Sequence, residues 1–592
     1  MPRVLSRPLR ATVLGLCLGL GTLQAAKNPK ILIEGLDSEP AENVRAFLSL
    51  RNTPCDAPTW RLRARLRKAG AEIRKALEPF GYYRPHIEQT LTPAAGPEGC
   101  WQARFRIDPG PRIHLREVQV RVTGAAETDP AFHELLARNP LHPGDPLRHD
   151  RYEAFKRALM NLAHERGYVE ARLRTHRLVV DPEAGSADIE LVLASGPRYR
   201  FGTTRIEQDV LEPQLVRRFL EYEEGDPYDQ GAIDDTQRAL VGSGYFTRVM
   251  IQPAFEPSPE RRIPITIRLE PAKRNRYAAG VGYATDIGPR FSLEYENRRL
   301  NRRGHRLRFS ATGSPVKSEG LLTYLVPHGN PSKENYDLSA GFKHEVTDNT
   351  ASDIARASIG RSDLLPWDWR QRIFLEFSYE DFDVADQAEA SLLLMAGGIW
   401  NRRVTDDPVY PTEGHRLNLE LRGSAGALVS TTRFVQAIGR AKWIHALDLP
   451  GTFIHQTRVL LRGEAGTTLV DEVTDLPESL RFFAGGDQSV RGFGYKSLGP
   501  HNAGGEVIGG RHLVTASLEF DQYYFEKWGL WGLAAFVDAG NAFNQAFKPK
   551  VGAGIGLRWR APIGGTIRLD LAFALTEPGT PVRIHFTMGP DL

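Results

Sequence analysis

The chain has 592 residues, enough for several domains of about 100–200 residues each, so a single core is excluded. Its formal charge of +4 includes three arginines and no acid in the first 26 residues, leaving only +1 on the remainder, which gives nucleic acid no support as a partner. After residue 26 nothing is apolar over the about 18 residues of a spanning helix, so any membrane role must be carried by strands.

Residues 1–26 join a basic start (Arg3, Arg7, Arg10) to an apolar run from Val13 to Leu23 and small residues at Ala25 and Ala26, the pattern of a secretory signal peptide. Cleavage fits after either alanine. The run is too short for an anchor, and Leu16 ahead of Cys17 does not suit lipidation. Export leaves Cys55 and Cys100 as a candidate disulfide, with two buried free thiols as the alternative.

Residues 27–273 repeat one pattern of strand, helices, Gly-Tyr, strand, strand. Gly81-Tyr82-Tyr83, Gly167-Tyr168-Val169 and Gly244-Tyr245-Phe246 stand 86 and 77 residues apart, Gly110-Pro111-Arg112 recurs at Gly196-Pro197-Arg198, and Gly144-Asp145-Pro146 at Gly225-Asp226-Pro227. Such periodicity marks an array, with modules at 27–108, 109–197 and 198–273. Leu62, Leu66, Ala69, Ile73 and Leu77 share one helical face, as do Phe155, Leu159 and Leu162. Strands are expected at Tyr168–Leu173, Ile189–Leu193, Thr247–Ile251 and Ile265–Leu269. Arg61, Arg63, Arg65 and Arg67 read as a solvated helix face. Small α+β modules of this kind offer strand edges that accept an extended segment.

From residue 274 the period becomes two. Val551, Ala553, Ile555, Leu557 and Trp559 alternate with Gly552, Gly554, Gly556, Arg558 and Arg560, and Ile567, Leu569, Leu571 and Phe573 with Arg568, Asp570 and Ala572. A soluble sandwich and a membrane barrel share this alternation. Export, an unbroken meander to residue 592, and aromatics at strand ends (Tyr410, Trp443, Tyr523, Tyr524, Trp528) favour the barrel. Sixteen strands are expected, starting near 275, 290, 305, 318, 334, 350, 369, 389, 414, 430, 451, 506, 530, 548, 565 and 582.

The seam between first and last strands reads as weak. Gly280 and Gly282 thin the first strand between Tyr277 and Tyr283, and Gly589-Pro590 interrupts the outward series Val582, Ile584, Phe586, Met588. Ordinary barrel glycines and a frayed terminus are the alternative.

The long interval 471–510 carries Val490-Arg491-Gly492-Phe493, and such intervals are usually functional. Strand parity directs Phe536, Asp538 and Gly540 inward, and Glu519 likewise, so Arg491 has two candidate partners, Asp538 first and Glu519 second, for a charge-assisted pair inside the barrel. Solvation is its alternative.

Val490–Phe493 and the F-x-D-x-G run Phe536–Gly540, together with three repeats, RFFAGGDQSVRGFGYKS and the ending MGPDL, resemble the outer-membrane insertases with POTRA domains, and within them the TamA family. The resemblance implies three periplasmic POTRA domains followed by a 16-stranded antiparallel transmembrane β-barrel in the outer membrane, Arg491 packed against the strand carrying Asp538, and a lateral gate at the seam. It implies assembly of autotransporters and other β-barrel proteins, a TamB-like inner-membrane-anchored partner, and neither cofactor nor metal.

An enzyme is disfavoured. His133-Glu134 and His164-Glu165 lack the second histidine of a zinc H-E-x-x-H motif, no G-x-S-x-G elbow occurs, and Gly552-x-Gly554-x-Gly556 lies mid-strand as a smooth lumen wall. A two-partner-secretion pore for an unfolded exoprotein is the alternative function; a passive porin has no use for three modules.

Overall fold

The computed structural model describes residues 29–589 apart from 94–98, 257, 349, 386, 427–429, 448–455, 526–528 and 562–564. The expected signal peptide, Trp528 and Pro590 lie outside the described residues. One compact unit holds the first two modules, up to Phe201, with Gly225–Gln230 and Phe255–Ile263; the other holds most of the third module and the barrel.

In the first module β1 (Lys30–Glu34), α1 (Ser38–Phe47), α2 (Thr59–Leu77), β2 (His86–Thr92) and β3 (Gln102–Asp108) give a sheet ordered β1-β3-β2, with β1 parallel to β3. Leu62, Ala69, Ile73 and Leu77 of α2 pack on Trp101, Phe105 and Ile107, with Leu66 half-buried at the margin. Cys55 and Cys100 form a disulfide. Arg61, Arg63 and Arg67 are exposed; Arg65 instead turns back and donates to the Ser49 carbonyl.

The second module repeats this with β4 (His114–Thr123), α3 (Pro130–Ala137), α4 (His149–Glu165), β5 (Arg172–Asp181) and β6 (Ser186–Ala194), ordered β4-β6-β5. Its first antiparallel strand begins at Arg172 rather than Tyr168, because Tyr168 turns into the core and donates its hydroxyl to Asp129 at 3.1 Å. The recurring landmarks have physical causes. Gly81, Gly167 and Gly244 take φ of +86°, +79° and +71°, a left-handed conformation that favours glycine. Arg112 Nε donates to the Phe80 carbonyl at 2.8 Å and Arg198 Nε to the Arg166 carbonyl at 2.9 Å, satisfying groups left at helix ends.

The third module consists of β7 (Arg200–Glu207), α5 (Pro213–Arg217), α6 (Gln230–Gly242), β8 (Phe246–Pro253) and β9 (Arg262–Pro271), ordered β7-β9-β8. It meets the barrel directly. The Tyr245 hydroxyl donates to the Gly304 carbonyl, and the Arg306 guanidinium lies 4.1 Å from the Tyr245 ring centroid.

Sixteen strands then close an antiparallel barrel. They are β10 (Asn275–Ala284), β11 (Gly288–Asn297), β12 (Arg306–Gly313), β13 (Lys317–Pro327), β14 (Asn335–Val346), β15 (Thr350–Leu365), β16 (Trp369–Val384) and β17 (Gln387–Thr405). There follow β18 (Gly414–Ala425), β19 (Arg433–Leu447), β20 (Gln456–Leu469), β21 (His512–Phe525), β22 (Leu530–Phe543), β23 (Lys550–Arg560), β24 (Thr566–Ala574) and β25 (Val582–Gly589). The expected start of β20 near 451 lies outside the described residues, within which the strand runs from Gln456. β21 begins at His512 rather than near 506, because Gly510 pairs with Phe482 and Val507 with His501 inside the preceding loop.

The two faces of the wall decide between sandwich and membrane barrel. Leu533, Val537, Ile555, Leu557 and Leu569 are exposed on the outside while Asp538, Arg558 and Asp570 are buried inside. An apolar exterior around a polar interior is the membrane arrangement. Trp443 is exposed, as an interfacial aromatic should be, but Tyr523 is fully buried beneath Arg560, 4.3 Å from its ring centroid, and belongs to the lumen. Tyr410 points its hydroxyl to the Ala561 and Gly565 carbonyls.

Candidate functional site

Residues 470–511 join β20 to β21 and cross the lumen, held by contacts around the wall. Glu380 of β16 accepts from the Ser479 N–H at 3.0 Å, and Gln436 of β19 donates to the Leu480 carbonyl at 2.8 Å. Lys496 bridges Glu478 of the loop and Glu345 of β14 at 2.6 and 2.7 Å. Burial opposes its charge, yet these two carboxylates outweigh burial and raise the Lys496 pKa. Phe482, Ala484, Val490, Phe493 and Leu498 make an apolar underside against Ile438, Leu513, Ala542 and Ala574.

Arg491 stands at the centre of this anchoring and is 4% exposed. Its Nε and Nη2 meet the two oxygens of Asp538 at 2.7 and 3.0 Å, and its backbone N–H donates to the same carboxylate at 3.0 Å. Nη1 reaches Glu519 at 2.7 Å and Asp570 at 2.9 Å. The guanidinium carbon lies 3.4 Å from the Phe536 ring centroid, a cation–π contact from the same strand. Burial would lower the arginine pKa, but hydrogen bonding and attraction to Asp538 overcome it and hold the proton more tightly than in free arginine.

The structure thus brings Val490, Arg491, Gly492 and Phe493 together with Phe536, Asp538 and Glu519. Gly540 packs beneath β21 instead, where a Cβ would come 2.5 Å from the Val514 carbonyl oxygen. The site is larger than a pair. Arg558 Nη2 meets Glu519 at 2.8 Å and its Nη1 meets Asp570, while Arg458 Nη2 meets Asp521 at 2.9 Å. Four carboxylates therefore accept from three arginines in a buried lattice. Asp570 and Arg558 were legible as inward positions, but parity alone does not say which inward residues converge. Gly554 and Gly556 are more than a smooth wall: a Cβ on Gly556 would meet the Asp570 Oδ1 at 1.9 Å and one on Gly554 the Leu571 carbonyl at 2.1 Å.

The seam joins β10 to β25 through a single ladder pair among the described residues, Ala284 with Thr587. β25 is meanwhile paired with β24 from Val582 to Gly589. Beside the one pair, the Thr285 N–H donates to the Phe586 carbonyl at 3.2 Å, and the Tyr283 and Phe586 ring centroids are 5.7 Å apart. Further along β10, Tyr277 is exposed against Tyr295, Gly280 lies opposite Ser292 and Gly282 opposite Arg290. Val582 and Ile584 point outward and Met588 is half-buried. His585 points inward; its Nε2 accepts from the Gly492 N–H at 2.9 Å and its Nδ1 meets Asp487, a contact that strand pattern alone gave no reason to expect.

The Omp85 superfamily domain matches residues 274–591, more than half of the chain. The chain belongs to the Omp85 superfamily. Residues 30–109 of this Omp85 protein match the first POTRA domain of TamA, and 199–272 match a POTRA domain described as a surface antigen variable number repeat. It is 23% identical over 398 residues to the outer membrane protein assembly factor BamA of Nitratidesulfovibrio vulgaris, covering 63% of this chain and 49% of the relative, so the chain spans about half that protein's length. In structure it is similar to BamA from Haemophilus ducreyi lacking POTRA domains 1–3, with TM-score 0.64 at 17% identity, covering 81% of this chain and 99% of that one. CdiB from Escherichia coli aligns at TM-score 0.49 and 15% identity over 81% of this chain and 91% of its own. The barrel lies in the outer membrane, with the POTRA modules in the periplasm.

Proposed function

We propose that this Omp85 protein is a non-enzymatic outer-membrane assembly factor of the TamA type, which inserts or translocates autotransporters and other β-barrel proteins by templating strands at the seam. The observation that carries the reading is the seam itself: Asn275–Tyr283 of β10 find no ladder partner toward β25 among the described residues. Unpaired backbone in hydrocarbon costs several kcal/mol per group, so such an edge is a ready acceptor for an incoming strand, whose own main chain gains the same bonds. The arginine lattice supports this by tying together β21, β22, β23 and β24, the strands that lead up to β25. Photocrosslinkers at Tyr277–Tyr283 and Val582–Met588 are expected to capture nascent barrel substrates. Crosslinks confined to lumen positions such as Arg558 would instead establish a secretion pore for an unfolded exoprotein.

The partner in this reading is a TamB-like inner-membrane-anchored protein docking on strand edges of the first module. Deleting Lys27 to Asp108 should abolish its co-purification while leaving a heat-modifiable barrel; retained binding moves the dock elsewhere.

A further inference from the structure

Among the described residues, the one ladder pair at the seam is supplemented by a loop residue that touches both edges. Asp487, 7% exposed, lies four residues before Arg491 in the lumen-crossing loop. Its carboxylate accepts from the Thr285 hydroxyl at 3.1 and 3.3 Å, on the turn that follows β10, and meets His585 Nδ1 on β25. Its backbone N–H donates to the Asp286 carboxylate on that same turn. One loop residue is therefore bonded to both sides of the seam.

Two further contacts give these bonds a direction. The Gly492 N–H occupies the Nε2 lone pair of His585, so the imidazole proton sits on Nδ1 and points at Asp487. The Thr285 hydroxyl, while donating to Asp487, accepts from the Phe586 N–H at 3.1 Å, so this bond between the two edges runs through a hydroxyl that Asp487 orients. Asp286, Asp487 and His585 bring their donor atoms within 4.8 Å of one another, but both imidazole nitrogens are already engaged, so the cluster is read as a hydrogen-bonded junction. Burial, and after it the neighbouring Asp487 carboxylate, raise the Asp286 carboxyl above the ordinary carboxylate range.

We propose that Asp487 is a positioning residue that latches the seam shut, so that lifting the Arg491 loop from its socket releases Thr285 and His585 together and frees the β10 edge. The inference deepens the templating reading and rests on it for its purpose. Mechanically, Gly492 and Asp487 flank Arg491 on one short stretch of backbone, and both hold His585. The arginine socket and the seam thus move as one element.

The test is disulfide trapping in the full-length protein reconstituted in nanodiscs without substrate. Ala284→Cys with Thr587→Cys places a cysteine pair at the facing position of the seam ladder. With Asp487 intact the pair should oxidise rapidly; Asp487→Ala should slow trapping at least fivefold, and Thr285→Val at least twofold, while heat-modifiability stays that of the parent. Unchanged trapping in a heat-modifiable Asp487→Ala protein overturns the latch. Should Asp487→Ala fail to fold, Thr285→Val decides by the same criterion. Because no substrate is present, the latch and the templating reading fail separately: substrate crosslinks at Tyr277 with unchanged trapping remove only the latch, and slowed trapping without substrate crosslinks removes only templating.

Discussion

The carbonyl oxygen of Arg491 lies 1.9 Å from the point where a Cβ on Gly552 would stand. The Arg491 backbone is therefore seated on bare β23 backbone, and Gly492, at φ +95°, turns the chain away over Phe573 and Ala574. No side chain fits at Gly552 without displacing the loop. Gly552→Ala should lower barrel stability by about 1–3 kcal/mol, as overpacking does in a tight interior, and make residues 481–494 accessible to protease. Gly463→Ala is the control, since its added methyl meets only the Thr515 carbonyl at 3.8 Å. Equal melting of the two variants, followed by the heat-modifiable gel shift, would show that the loop does not need this seat.

The difference between those two glycines also shows where reading from the sequence stops. Period-two alternation put Gly552, Asp538, Asp570 and Arg558 on the inner face, because a strand's side chains alternate strictly. Parity is a local property. Convergence of Arg491 on Asp538, Glu519 and Asp570 depends on how β21, β22 and β24 are staggered around the barrel, which is set by closure and by no single strand. His585 illustrates the same limit: its inward parity was visible, but its contact with Gly492 requires the loop to fold back across 93 residues of sequence. The helix ends inside the modules are easier to read, because Gly81, Gly167 and Gly244 take a left-handed φ where each helix stops, a local property of the chain.

Removing the arginine should be more costly than removing any one of its partners. Arg491→Ala leaves Asp538, Glu519 and Asp570 deprived of a shared cation, and breaking a buried pair typically costs about 3–5 kcal/mol. Arg491→Lys should rescue little, since an ammonium cannot reproduce the two-oxygen contact with Asp538. The double variant Arg491→Ala with Asp538→Ala should lose less than the sum of its parts. Thermal shift of the gel-resolved barrel measures all three. Full additivity would mean the two side chains act independently.

In the periplasmic array, acid should loosen the second module. Burial alone would raise the Asp129 carboxyl, but the Ala131 N–H and the Arg166 guanidinium outweigh it and hold it below the ordinary carboxylate range. A depressed carboxyl contributes stability that is complete above its unfolded value near about 4 and disappears as pH falls through the folded value. Asp129→Asn should therefore destabilise residues 109–197 by about 1–2 kcal/mol at neutral pH and flatten the loss of stability between pH 5 and pH 3. Hydrogen exchange at the β6 amides of the full-length protein reads this. An unchanged slope against pH would assign the acid sensitivity to another carboxylate.

The first module should depend on its disulfide in a way the barrel does not. Cys55 and Cys100 close a loop with a sequence separation of 45, which in the chain-entropy account stabilises by about 4 kcal/mol. The bond lies beside buried Trp101, whose indole N–H donates to the Pro54 carbonyl at 3.0 Å, so the residues next to both cysteines are already held together. Cys55→Ala with Cys100→Ala should leave barrel heat-modifiability unchanged, raise exchange throughout α2 and red-shift Trp101 emission under mild denaturant. Mild reduction of the parent should reproduce all three effects. If exchange in α2 stayed at the parent level in both cases, the packing of Leu62, Ile73 and Leu77 on Trp101 and Phe105 would be sufficient by itself, and the crosslink would add nothing to the folded module.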